Sequence, residues 1–260
     1  MSKNLLPHVV TSFDQELDRL DELVVRQFGL VYTLIHEAMH AVAHFNLEMA
    51  SEVALKDVEI DRLGDTIKEK VIRVLALRSP LADDLRWVIT IQQVSSELEQ
   101  IGDLSKNIAN RVGELVRQPF PQAGGSLKVL GSMVFEQLGG MHLAWIEENA
   151  ELATKIWQGD DAVDSLYGSM VRELLTYMIE SHSNITSCIH LLFIANNLER
   201  IGDHVASIAE ELLFRVQGKK PSWNMRSRND ATLTVGKSVL PAAPFAGVRL
   251  EAEEMIHLGN

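Results

Sequence analysis

Residues 96–103 read Ser-Glu-Leu-Glu-Gln-Ile-Gly-Asp, and residues 196–203 read Asn-Asn-Leu-Glu-Arg-Ile-Gly-Asp. The two octets lie 100 positions apart, and the same offset aligns Asn107-Ile108-Ala109 with Ser207-Ile208-Ala209. Around the first copy apolar residues recur as Val94, Leu98, Ile101, Leu104, Ile108, Val112 and Leu115. Around the second they recur as Ile194, Leu198, Ile201, Val205, Ile208 and Leu212. A spacing of three and four is that of a helix with one buried stripe, so the same amphipathic helix is written twice. A looser match, offset by 103, aligns Asp57-Val58-Glu59-Ile60-Asp61 with Asp160-Asp161-Ala162-Val163-Asp164. The chain is an internal duplication.

Outward from these octets the helical period holds from Phe13 to Val216, and no segment alternates as a strand would. Breaks are expected near Phe45-Asn46, at Arg78-Ser79-Pro80, from Pro119 to Gly125, near Gln158-Gly159-Asp160, and around Ser181-His182-Ser183-Asn184. They divide the chain into six long helices. The predicted fold is all-α: two tandem, pseudo-symmetric three-helix bundles over 1–120 and 121–218. After Gly218 the period fails, and Lys219-Lys220-Pro221 opens a stretch with Pro241 and Pro244. Residues 219–260 are read as a loosely ordered tail.

Composition narrows the class of function. With 36 acidic against 24 basic residues the net charge is -12, which disfavours attraction to nucleic-acid phosphates or anionic lipid. The single cysteine, Cys188, cannot form an internal disulfide, and the first residues lack a secretory apolar core. No apolar run approaches the roughly 20 residues needed to cross a bilayer. A cytoplasmic protein that meets membranes only through partners is expected.

The carboxylates carry the chemistry. Glu99 and Asp103 lie one helical turn apart on one face, as do Glu199 and Asp203, Asp57 and Asp61, and Asp160 and Asp164. Like charges at that spacing destabilise a helix by about 0.2–0.5 kcal/mol, and by more beside a core stripe. If the first hairpin turns at Pro80, Asp57 lies level with Asp103 and Asp61 with Glu99. If the second turns between Ser181 and His182, Asp160 lies level with Asp203 and Asp164 with Glu199. Antiparallel helices pack about 8–10 Å apart, so each half gathers four carboxylates that cannot all stay ionised without a counter-charge. Cations would relieve the repulsion, and all-oxygen ligation favours hard ions. Gly102 and Gly202, mid-helix at one register, cost about 1 kcal/mol each against alanine and point to a close approach there.

The run Asn197-Leu198-Glu199-Arg200-Ile201-Gly202-Asp203-His204, the run Ser79-Pro80-Leu81-Ala82-Asp83-Asp84-Leu85-Arg86, and Leu175-Thr176-Tyr177-Met178 resemble the PhoU family over roughly residues 5–218. The resemblance implies metal binding at Asp57, Asp61, Glu99 and Asp103, and at Asp160, Asp164, Glu199 and Asp203, by ions such as Mg, Mn, Fe or Zn. It also implies negative regulation of phosphate uptake and the phosphate regulon. The implied partners are a phosphate transporter's ATPase subunit and a membrane sensor histidine kinase; a homodimer is expected, without catalytic turnover. Gln100 and Gly64 depart from the family's pattern, which points to a weaker first site or fewer ions there.

Three other readings compete. His36-Glu37-Ala38-Met39-His40 has the spelling of a zinc peptidase, two histidines one turn apart around a general-base glutamate. Such enzymes need a third ligand and an edge strand for substrate, and a helical chain offers no strand. His44 continues the spacing, so adventitious zinc at His36, His40 and His44 is favoured over proteolysis, and partly exposed helix histidines without metal are favoured over both. A di-iron carboxylate oxidase would pair Glu37 and His40 with Glu254 and His257, which fall in the tail. A metal-free helical adaptor differs from the favoured reading only at the carboxylates.

Overall fold

The computed structural model describes residues 5–117 and 124–221, all of whose regular structure is helical. Six long helices run α1 Leu5–His44, α2 Leu47–Arg78, α3 Ala82–Asn110, α5 Gly124–Ile146, α6 Ala150–Glu180 and α7 Ile185–Gln217, with a one-turn α4 at Val112–Leu115. A 3-10 turn, His182–Asn184, precedes α7. The expected all-α architecture of two three-helix bundles is what the chain adopts: α1, α2 and α3, then α5, α6 and α7.

The duplication extends to the joints. Asn46 and Asn149, 103 positions apart, start α2 and α6 with nearly the same backbone, and each side-chain oxygen accepts from the amide three residues on, 3.1 Å from Met49 and 3.0 Å from Leu152. An asparagine there satisfies one of the amides a helix start leaves without a partner. Directly before each cap, Phe45 and Glu148 turn left-handed at φ 52° and 50°. The expected break near Gln158-Gly159-Asp160 is therefore corrected: the α5–α6 joint lies at residues 147–149, and 158–160 sit inside α6. The capping asparagine, not the glycine, ends the turn, because Gly159 costs only its backbone entropy within a helix whose neighbours stay buried. The other joints fall where expected, except that 118–123, the middle of the Pro119-to-Gly125 boundary, and tail residues 222–260 lie outside the described residues.

The two halves share one continuous core, to which the octet residues Leu98, Ile101, Leu198 and Ile201 contribute with no exposed surface. Trp145 and Trp157 join this core, each 2% exposed. Helix α1 packs on α5, and α3 packs antiparallel on α7. Arg86 near the start of α3 lies 5.7 Å from the Phe214 ring near the end of α7, and Arg111 just after α3 lies 4.5 Å from the Phe193 ring near the start of α7. Between them His204 Nδ1 meets Glu97 Oε2 at 2.6 Å. It follows that the hairpin turns at residues 79–81 and 181–184 point to opposite ends of the molecule, while both acidic levels sit near its middle.

Candidate metal centres

Both acidic centres are built between the second and third helices of a half, and both rest on a glycine. A Cβ on Gly102 would lie 2.9 Å from Asp57 Oδ1 and 3.3 Å from Ile60, and one on Gly202 would lie 2.9 Å from Asp160 Oδ1 and 3.3 Å from Val163. The glycine that recurs at one register thus admits an aspartate from the facing helix, the close approach its position implied. Those two aspartates are the deepest of the eight carboxylates, Asp57 at 1% exposure and Asp160 at 0%.

In the second half Asp160, Asp164 and Asp203 each bring a carboxylate oxygen to within 4.8 Å of the others. Among the described residues this is the one cluster of potential ligands drawn so tightly together. Glu199 shares the same field. Burial first, then the charges of Asp203 and Asp164, push its carboxyl up to about 7 against the pull of Arg200. Asp164 is pushed up to about 6 by burial and then by Asp203 and Asp161. Carboxyls held this far above their ordinary values mark a place where lost solvent, and then neighbouring negative charge, favours a proton or a cation.

In the first half the four corresponding carboxylates feel one another's charge but, among the described residues, form no cluster as tight as that of the second half. Asp61 is raised by burial and then by Asp57 and Asp103, and Glu99 by burial and then by Asp61 and Asp65. Here a cation is already built in: Lys106 Nζ donates to Asp57 Oδ2 and, at 2.7 Å, to Asp103 Oδ1. The hydrogen bonds to Asp103 and Asp57 hold its ammonium well above the ordinary lysine value. Glu99 folds onto the backbone of Gly64, its Oε1 only 1.6 Å from where a Cβ would stand. The duplicate of Gly64 is Tyr167, whose hydroxyl instead accepts from Asn196 at 3.4 Å, so Glu199 has no equivalent seat.

Sequence reasoning did not single out Lys106 or its partner in contrast, Gln137. The spacing of Lys106 three residues after Asp103 was a signal for the first. The second, a lone amide in the apolar stretch around Leu138, became meaningful only with its surroundings. Gln137 of α5 is 2% exposed, its Oε1 accepts no hydrogen bond, and that oxygen lies 3.6 Å from the point a Gly202 Cβ would occupy, beside Asp160.

The peptidase spelling on α1 does not assemble. Glu37 Oε1 is ion-paired with Lys56 of α2, on a different side from the histidines. His36, His40 and His44 line a cavity of about 560 Å³ between α1 and α5, with Met39, Leu127 and Phe135 for walls. A general base bound to an ammonium cannot activate water over that row. The oxidase's second pair, Glu254 and His257, lies outside the described residues.

A duplicated three-helix bundle, with no helix long and apolar enough to cross a membrane among the described residues, defines the class: an all-helical tandem-repeat protein. The profile of the PhoU domain family matches twice, over residues 24–112 and 127–212. The chain belongs to the PhoU family. It is 39% identical over 222 residues to a phosphate-specific transport system accessory protein PhoU homolog of Zymomonas mobilis, covering 85% of this chain and 94% of that one. To its counterpart in Rhizobium meliloti it is 35% identical, covering 88% and 97%. The crystal structure of PhoU from Pseudomonas aeruginosa superposes with a TM-score of 0.78 at 32% identity, covering 80% of this chain and all of that one. The phosphate transport system regulatory protein PhoU from Streptococcus pneumoniae gives 0.74 at 30% identity, covering 81% and 99%.

Proposed function

We propose that this chain is a non-catalytic regulator of phosphate uptake and of the phosphate regulon. It acts in the cytoplasm, as a homodimer, on a phosphate transporter's ATPase subunit and a membrane sensor histidine kinase, and restrains both when phosphate is plentiful. The observation that carries this reading is the pair of PhoU-domain matches, joined to relatives of nearly full length that are named as accessory proteins of phosphate-specific transport. Surfaces for such partners are available at both ends: Leu77 and Leu81 at one hairpin turn are 69% and 79% exposed, and Leu175 and Ile179 near the other are 49% and 83% exposed. Paired apolar side chains left in water at a helix tip are the chemistry of a docking surface.

The acidic centres fit hard cations, through Asp160, Asp164, Glu199 and Asp203 in the second half and Asp57, Asp61, Glu99 and Asp103 in the first. A bound Mg, Mn, Fe or Zn ion would neutralise carboxyls that now repel and tie the third helix of a half to the second, fixing the surface a partner reads. Deleting the gene and measuring alkaline phosphatase and phosphate uptake in phosphate-rich medium tests the role. Both should rise and return to normal when the gene is restored; unchanged levels would sink it.

A further inference from the structure

The duplication makes each half a control for the other, and the two acidic centres differ by a reciprocal exchange. Where the first half has Lys106, bonded to Asp57 and Asp103, the second has Ala206, 1% exposed. Where the second half has Gln137, the first has Leu34, also 1% exposed. One centre therefore holds an ammonium and no extra oxygen. Its duplicate holds an extra oxygen and, at the position of the lysine, an alanine.

An amide carbonyl is an acceptor only, and a buried one without a donor is rare in a folded chain because desolvation has removed its water. The Oε1 of Gln137 converges with Asp160 Oδ1 on the gap over Gly202, beside the cluster of Asp160, Asp164 and Asp203. Carboxylates joined by a neutral carbonyl oxygen make a ligand set for a hard cation. In the first centre the corresponding charge is supplied by Lys106, whose ammonium sits between the carboxylates an ion would have to bridge. The amine must lose its proton or swing away before a metal can enter.

We infer that the two centres are chemically unequal: the second half takes the metal, with Gln137 Oε1 as a neutral ligand, whereas Lys106 serves as the permanent counter-ion of the first. The inference rests on the metal binding proposed above and narrows it to one half. A phosphate regulator so built has one half whose shape depends on ion supply and one whose shape does not.

The test uses the full chain stripped with EDTA and titrated with manganese(II) chloride, bound metal being read by calorimetry and by electron paramagnetic resonance. Asp203→Ala should abolish the tight binding, and Asp103→Ala should cost far less of it. Lys106→Ala should open additional manganese sites in the first half. Gln137→Leu, which copies the residue already tolerated at the duplicate position, should keep its helical circular dichroism yet weaken manganese binding by at least about tenfold, the loss that follows removal of even an outer-sphere partner. Equal losses from Asp103→Ala and Asp203→Ala would overturn the inequality and leave the metal reading standing. A Gln137→Leu chain that melts lower but binds manganese as before would show that Gln137 serves the fold alone, which removes it as a ligand. No manganese bound by the unaltered chain would overturn the metal reading itself.

Discussion

At the scale of the residue, two crowded carboxyls of the second acidic centre and one buried imidazole shape how the chain responds to acid. Glu199 and Asp164 are pushed up to about 7 and about 6, so the metal-free folded chain holds their protons more tightly than the unfolded chain does. Their contribution to stability is present in full below the ordinary carboxyl range and is lost as pH rises through 6 and 7. His142 slopes the other way. Buried against Phe28, 5.2 Å between ring centres, it is pushed down to about 4, so its contribution is full above the ordinary histidine value and is lost as pH falls toward 4. The two slopes overlap and partly cancel, so the net pH profile hides both. Glu199→Gln separates them. In the presence of EDTA the variant should gain about 1 kcal/mol over the parent at pH 8, after allowance for solvent screening, and little at pH 5. Urea denaturation at the two pH values measures this, and an equal difference at both would mean that Glu199 is not under the strain ascribed to it. The residues that set these values were half legible. Periodicity put the carboxylates on one level, because spacing along a helix is local. Lys106 was visible in the sequence but silent there, because its Nζ reaches Asp57 only after α3 has packed on α2.

At the scale of the element, the joints show which local signals outrank others. Asn149 repeats Asn46 in backbone, cap and following helix, while the glycine at 159 passes unnoticed inside α6. A cap satisfies amides that would otherwise lack partners, whereas a glycine within a packed helix loses only propensity. Asn149→Ala should cost about 1 kcal/mol in urea or thermal unfolding, and Asn46→Ala a similar amount. If Asn149→Ala is neutral, the left-handed Glu148 and not the cap fixes the corner. The hairpins themselves were predictable, since Pro80 and the Ser181-to-Asn184 cluster stop helices through backbone chemistry that needs no neighbour. The boundary at 147–149 carried no proline or glycine, and its only mark was an asparagine readable by comparison with residue 46.

At the scale of the whole molecule, the halves are held as one body by α1 on α5 and by α3 antiparallel to α7. Arg215 is central to that joint. Its side chain, 7% exposed, pairs with Asp21 at 3.4 Å and Glu148 at 2.7 Å, and its guanidinium lies 4.2 Å from the Trp87 ring and 5.0 Å from the Trp145 ring. It thereby links α1, α3, α5 and α7. Removing one partner of a buried ion pair costs several kcal/mol because the other charge is stranded, so Arg215→Ala should destabilise the chain by about 3 kcal/mol. The halves should then begin to melt separately, giving a broadened or split transition by calorimetry. A sharp transition at the parental midpoint would mean that apolar contact alone joins them. This joint also places the hairpin turns at opposite ends, so the exposed pair Leu77 and Leu81 lies far from the exposed pair Leu175 and Ile179.

The sequence by itself determined the six long helices, the duplication, the pairing of α2 with α3 and of α6 with α7, and the helix faces on which the eight carboxylates stand. Each follows from periodicity and turn chemistry, which act within one helix or one hairpin. Only the tertiary structure decided that α3 runs antiparallel to α7, that Glu99 lies on Gly64, and that Lys106 and Gln137 face the two acidic centres from different directions. Those features depend on a third helix or a second half coming into contact. No spacing within a single element encodes the direction from which a neighbour arrives.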